Sequence, residues 1–138
     1  MDLSAAIAGV NYWAVALAAL ASFVIGGLWY SPVLFQRAWM ESAGMTDAQL
    51  QSGKLGLIFG MSFVLQLIAA FVLAMFLGPA ANFEFGITAG FMVGAAWVAT
   101  AFGVVYLFER RRLRLFWINA GYQIIVFMTM GAILGMWR

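Results

Sequence analysis

The chain has 138 residues, of which 66% are hydrophobic and only 9% are charged. Soluble domains carry roughly a quarter charged residues, and a domain this small cannot hide so large an apolar excess, so the composition argues against a soluble globular protein. Cysteine and histidine are both absent, which excludes disulfides, the common zinc sites and catalysis by a thiol or imidazole. We expect an all-α membrane protein that uses no cofactor and no metal.

Long uncharged stretches predict the membrane spans in chain order. Residues 12–30, 55–77, 85–108 and 115–137 contain no Asp, Glu, Lys or Arg. At 1.5 Å per residue each stretch crosses a hydrocarbon core of about 30 Å. We therefore predict four transmembrane helices packed in a compact bundle, with residues 1–138 as a single domain.

Basic residues in the loops predict the orientation. The first loop carries Arg37 and Lys54, the middle loop carries no Lys or Arg, and Arg138 alone falls on the opposite side from the basic loops. The third loop holds a cluster of four arginines, Arg110, Arg111, Arg112 and Arg114. By the positive-inside rule, loops 31–54 and 109–114 are expected in the cytoplasm and both termini outside, in a plasma membrane, such as the bacterial inner membrane. We expect no nucleic-acid partner, since these charges are explained by topology.

The first loop is the only one long enough to fold. Ser31 as N-cap and Pro32 as the first helical residue predict a short amphipathic helix at the membrane interface. Gly44 is expected to end that helix, and Thr46 with Gln49 forms a capping box for the next one.

Small residues recur at intervals of four in every span. In lipid, such residues let helix backbones approach closely, so they predict tight helix packing. A second row on the third span, Ala95, Ala99 and Gly103, exceeds what one bundle interior needs, and favours a homo-oligomer. The packing rows are Ala14, Ala18, Ser22 and Gly26; Gly56 and Gly60; Gly86, Gly90 and Gly94; and Gly131 and Gly135.

A few large polar side chains lie within the spans. Gln66 is the large amide of the second span, and Asn119, Tyr122 and Gln123 lie in the fourth, with the two amides one turn apart. These side chains either line a path for a solute or join the helices by hydrogen bonds, and we favour the second interpretation because a bundle this small has little room for a ligand cavity.

Two segments resemble a known family. Gly26 to Phe35, which reads GGLWYSPVLF, and Asn119 to Gln123, which reads NAGYQ, resemble a bacterial and fungal family of small four-helix membrane proteins, a domain of unknown function marked by LWYSP. The resemblance implies an integral membrane protein without an assigned activity. It also implies that Trp29, Tyr30, Ser31 and Pro32 are signature positions.

Two classes of function remain open. The leading hypothesis is a structural or interaction bundle, which forms a homo-oligomer or serves as an accessory subunit of a membrane complex. The alternative is a channel or transporter for a small neutral solute. An enzyme is not expected, because Glu41 and Asp47 lie in a solvated loop with no nucleophile near them. Membrane lipids are expected partners, since the arginine cluster attracts anionic headgroups as well as setting topology.

Overall fold

The computed structural model describes residues 1–137, and all regular structure in that part of the chain is helical. Four helices are long and apolar enough to cross a membrane, which confirms the four predicted spans. The third span consists of α6, a π-helical segment and α7. The helices are α1 (Leu3–Ala8), α2 (Tyr12–Trp29), α3 (Gln36–Ala43), α4 (Asp47–Gln51), α5 (Leu55–Leu77), α6 (Phe83–Met92), the π segment (Val93–Val98), α7 (Ala99–Glu109) and α8 (Leu113–Met136).

Span boundaries differ from the prediction where a cap or charge allows the helix to extend. The third span begins at Phe83, before Glu84, because the side chain of Asn82 accepts a hydrogen bond from the Phe85 amide at 2.9 Å. An acidic residue is favourable in the first turn of a helix. The short helix α1 was not predicted, and the Asp2 side chain caps it.

Contacts between distant loops define the two ends of the bundle. At one end Glu41 pairs with Arg114 at 3.4 Å, so the two basic loops lie together. At the other end the Asn11 side chain donates to the Trp137 carbonyl at 3.4 Å. Arg138, predicted on the side opposite the basic loops, lies outside the described residues.

The fourth span is the centre of the bundle, and glycines bring the third span against it. A Cβ atom added at Gly86 or Gly90 would collide with the carbonyl oxygen of Gly131 or Phe127, respectively. At Gly94 it would lie 2.8 Å from the Cα of Ile124, and at Gly135 it would collide with the Asn82 carbonyl. The third and fourth spans therefore touch backbone to backbone within one chain, a pairing that the spacing of these glycines did not specify.

The remaining small-residue rows divide into buried and exposed ones. Ala14, Ala18 and Ser22 are fully buried in α2. By contrast, no atom lies within 4 Å of a Cβ added at Gly56 or Gly60, so this pair makes no packing contact inside the bundle. Its spacing had left open whether such a contact lies within one chain or between chains. In the part of α5 that contains them, the ring of Phe23 packs against Phe59 and Phe63, and the buried residues of α5 begin only at Ala70.

The second row on the third span is divided. Ala99 is buried within the chain. Gly103 is only partly buried, and a Cβ added there would meet the Phe116 ring at 3.5 Å, which is ordinary contact. Ala99 is therefore not available for contact with a second copy.

The helix of the first loop begins later than predicted. The Ser31 hydroxyl donates back to the Leu28 carbonyl at 2.7 Å and caps no helix. Pro32 instead occupies the second position of a turn closed by the Leu34 amide on the Ser31 carbonyl, at 3.1 Å, where its fixed φ suits the turn. The helix starts only at Gln36. Gly44 ends it in the left-handed conformation, and the capping box of Thr46 and Gln49 is present, as predicted.

The π segment widens the middle of the third span. The Ala99 amide donates to the Gly94 carbonyl, five residues back. The Thr100 hydroxyl oxygen lies 2.7 Å from the Ala96 carbonyl and 2.9 Å from the Trp97 carbonyl. Its single proton supplies one donor to a backbone whose regular hydrogen bonding is interrupted. Trp97, which does not fit an interfacial belt, lies outward on this segment and is 71% exposed.

Arg110 ends α7 in the left-handed conformation, with φ 56° and ψ 40°. Glycine is the usual residue at such a cap because a Cβ atom is strained there. We expect Arg110→Gly to raise the free energy of unfolding by about 1 kcal/mol relative to Arg110→Ala, which removes the same charge but keeps the strain. Thermal unfolding of the two purified variants measures the difference, and equal midpoints would contradict this account.

Candidate functional site

The fourth span carries an asparagine whose amide is held from two sides. The Tyr30 hydroxyl, which follows the last residue of α2, donates to Asn119 Oδ1 at 2.6 Å. Asn119 Nδ2 in turn donates to the Tyr106 hydroxyl of α7 at 2.8 Å. These residues all lie within two helical turns of the ends of their spans. One side chain of α8 therefore links the first and third spans.

A second polar junction lies one turn further along α8. Gln66 of α5 donates through Nε2 to the Tyr122 hydroxyl at 3.3 Å, and that hydroxyl donates to the Ser22 carbonyl of α2, also at 3.3 Å. Gly26 makes room for the phenol, since a Cβ there would lie 2.8 Å from the hydroxyl oxygen. The Ser22 hydroxyl donates to the Ala18 carbonyl at 2.8 Å, so the junction uses the Ser22 carbonyl and not its side chain. This junction joins the second span to the first and fourth.

Tryptophan connects these junctions to the first loop. The Trp29 indole donates to the Ile118 carbonyl of α8 at 3.0 Å, and its ring lies over Gly121, where a Cβ would be 3.3 Å away. The ring centres of Trp29 and Phe35 are 4.8 Å apart, and Tyr30 stacks edge-on against Trp39 of α3. The turn after α2 is thereby anchored on α8. We call Trp29, Tyr30, Gln66, Tyr106, Asn119 and Tyr122 the amide–tyrosine cluster.

The predicted polar residues are only partly brought together. Gln66, Asn119 and Tyr122 converge, whereas the Gln123 side chain takes no part in these hydrogen bonds, although it lies one turn from Asn119. Tyr106 was not among the polar residues that the sequence singled out, and its bond to Asn119 was missed. Spacing gave no signal for this bond, because Tyr106 lies four residues before Arg110 and Asn119 nine residues after it.

The chemistry of the cluster is that of hydrogen bonding between neutral groups. Both ends of the Asn119 amide are occupied, and each tyrosine hydroxyl has a partner in the cluster. Glu41 is paired with Arg114, and Asp47 lies in the first turn of α4. Within residues 1–137 no group of three His, Cys, Asp or Glu side chains is placed to hold a metal ion.

The arginine cluster adjoins an open groove between α7 and α8. The groove has a volume of about 300 Å³. Its walls are mainly apolar, and Arg111 and Arg112 are at its end. Arg111 uses Nε to pair with Glu109 at 3.1 Å. Among the described residues, Arg110 and Arg112 belong to neither of the two ion pairs.

Comparison with known proteins gives one match. Residues 13–135 match the family DUF1761, described as a protein of unknown function. No curated protein and no solved structure matches the chain. The family match covers all four spans and includes every residue of the amide–tyrosine cluster.

Proposed function

The chain belongs to the DUF1761 family of proteins of unknown function, and we propose that it is a non-enzymatic interaction protein of the membrane that forms a homo-oligomer through one end of α5. The bundle supplies a rigid support, and α5 supplies the contact with a second copy. The exposed glycine pair on α5 carries this proposal.

The argument rests on where the glycines of this chain are used. Four glycines lie in the contact between the third and fourth spans, namely Gly86, Gly90, Gly131 and Gly135. Gly56 and Gly60 have the same spacing but face open space on a helix whose first half is exposed. A pair of glycines one turn apart leaves a shallow depression into which a second helix backbone fits, whereas lipid chains gain little from it. A second copy of α5 is the complementary surface.

The amide–tyrosine cluster supports a structural role over a solute path. A path needs polar groups that are free to bind a passing solute, and the Asn119 amide is already bonded at both its oxygen and its nitrogen, by Tyr30 and Tyr106. Hydrogen bonds of this kind between helices contribute about 0.6 kcal/mol each on average. The cluster therefore favours one fixed arrangement of the four spans.

The proposed orientation follows from the loop charges. The four arginines of the third loop lie beside the first loop, at the end opposite Asn11 and Trp137. The positive-inside rule then places loops 31–54 and 109–114 in the cytoplasm and both termini outside, in a bacterial plasma membrane. In this orientation α3 lies at the cytoplasmic interface, where Trp39 suits the headgroup layer.

Disulfide formation in native membranes tests the contact directly, because the chain has no cysteine of its own. We expect Gly60→Cys to give an oxidised dimer, since a helix contact at glycine brings Cα atoms within the distance of about 4.4–6.8 Å that a disulfide needs. Ile58→Cys is the matched control. It is exposed at nearly the same depth, but about 160° around the helix.

Mass measurement gives the independent test. We expect the protein extracted with its native lipids to have the mass of a homo-oligomer and Gly60→Leu to have the mass of a monomer. The thermal stability of Gly60→Leu is expected to be unchanged, because no atom lies within 4 Å of a Cβ at that position. Equal cross-linking at positions 58 and 60, or an oligomer that survives Gly60→Leu, would overturn the α5 interface. A particle that contains other proteins and one copy of this chain would identify an accessory subunit instead.

A further inference from the structure

The groove between α7 and α8 combines an apolar wall with positive charge at one end. Gly103, Leu107 and Phe116 line it within the third and fourth spans. Arg111 and Arg112 lie at the turn between the two helices. Gly103 is seven residues before Arg110, so the groove extends about 10 Å from the charged turn toward the middle of the membrane. This matches the distance from a phosphate group into the upper part of an acyl chain.

We propose that this groove binds one anionic phospholipid, with an acyl chain along Gly103 and Phe116 and the phosphate on Arg111 and Arg112. This site is separate from the α5 face proposed for oligomer contact. Its volume of about 300 Å³ is at the lower limit of ligand pockets and suits part of one chain.

The charges of the turn favour an anionic headgroup. Four arginines stand against one glutamate between residues 109 and 114. Within the described residues, the one ion pair of Arg111 is formed by its Nε with Glu109, and Arg112 forms no ion pair. Arginine binds phosphate oxygens through several N–H donors at once. An anionic headgroup is favoured over a zwitterionic one, because the zwitterionic headgroup adds a positive group beside the same phosphate.

Gly103 gives the groove its depth. An added Cβ would meet the Phe116 ring at 3.5 Å, which is ordinary contact, and would meet no backbone. A larger side chain at this position is therefore expected to fill the groove without separating the helices. Gly103 differs in this from Gly86 and Gly90, where any side chain collides with a carbonyl.

Lipid titration of the purified protein, followed by native mass spectrometry, tests the site. We expect phosphatidylglycerol to bind more tightly than phosphatidylcholine with the same chains. Arg111→Gln and Arg112→Gln are each expected to weaken phosphatidylglycerol binding about fivefold, as the loss of one basic contact predicts. Arg37→Gln removes one positive charge from the first loop, outside the groove, and is expected to leave binding unchanged. Gly103→Leu is expected to weaken binding about fivefold or more while the thermal midpoint is preserved.

Each other outcome overturns the site. Equal binding of the two lipids would exclude headgroup selection. If Arg37→Gln weakened phosphatidylglycerol binding as much as Arg112→Gln, the binding would depend on general surface charge and not on the groove. Inorganic phosphate that competes as well as the lipid, with no effect of Gly103→Leu, would show that the groove holds no chain. If Gly103→Leu unfolds, Leu107→Asn offers the same test one turn further along the same wall, on α7.

Discussion

Gly90→Leu is expected to prevent the third span from packing on the fourth. A side chain at this position would collide with the Phe127 carbonyl, and the Cβ would lie 2.7 Å from its carbonyl carbon. Neither backbone can shift locally, because Gly86 and Gly131 are in equally close contact one turn away. We expect the free energy of unfolding to fall by at least about 4 kcal/mol, the range reserved for severe packing faults. Size-exclusion chromatography and thermal unfolding in mild detergent would report the loss.

Gly27→Leu is the matched control for this prediction. Gly27 is also a glycine within a span, but no atom lies within 4 Å of a Cβ added there. The same chemical change is therefore expected to leave folding intact. If Gly90→Leu had the same thermal midpoint as Gly27→Leu, the result would contradict the close contact between the third and fourth spans, on which the fold is centred.

Asn119→Leu is expected to have the next largest effect. The substitution keeps side-chain size but removes the acceptor of the Tyr30 hydroxyl and the donor to the Tyr106 hydroxyl. Hydrogen bonds between membrane helices are worth about 0.6 kcal/mol on average and up to about 1.7, so the two together predict a loss of about 1 to 3 kcal/mol in the free energy of unfolding. Steric trapping in bicelles measures this quantity without detergent denaturation.

Gln123→Leu provides the comparison at the neighbouring turn. It makes the same amide-to-leucine change but leaves the hydrogen bonds of the amide–tyrosine cluster untouched, so its effect is expected to be close to zero. In a double-mutant cycle Asn119→Leu and Tyr30→Phe should be less than additive, because they remove the same bond. Full additivity would mean that Tyr30 and Asn119 are not coupled.

The number and extent of the spans could be read from the sequence because charge is so costly in lipid. Leu55 and Leu77 bound the second span where the uncharged stretch does. The first loop was harder, since Ser31 and Pro32 suit a turn as well as a helix start. Local preference was overridden there by the anchoring of Trp29 and Tyr30 on α8, a contact about ninety residues away in the chain. The π segment had no sequence signal that distinguished it from an ordinary helix.

The sequence indicated several residues of the amide–tyrosine cluster, but not which of them form hydrogen bonds with each other. Gln66, Asn119 and Tyr122 stood out because large polar groups are rare within a span. Which of them meet depends on helix rotation, and rotation is set by the glycine contacts with Gly131 and Gly135. Spacing of four also could not tell the buried glycine pairs from Gly56 and Gly60, since both have the same pattern and only the surroundings differ.

The central place of α8 has a consequence for biosynthesis. Helices enter the membrane in the order in which the ribosome makes them, so Gly86, Gly90, Tyr30 and Tyr106 are already inserted before their partners on the last of the four spans exist. Until then the nascent bundle lacks every contact with α8 and is held mainly by α2 against α5, for example by Phe23 on Phe59 and Phe63. The closing step therefore comes after the third span, and a chain stalled there would present unpaired glycine faces to membrane chaperones and proteases.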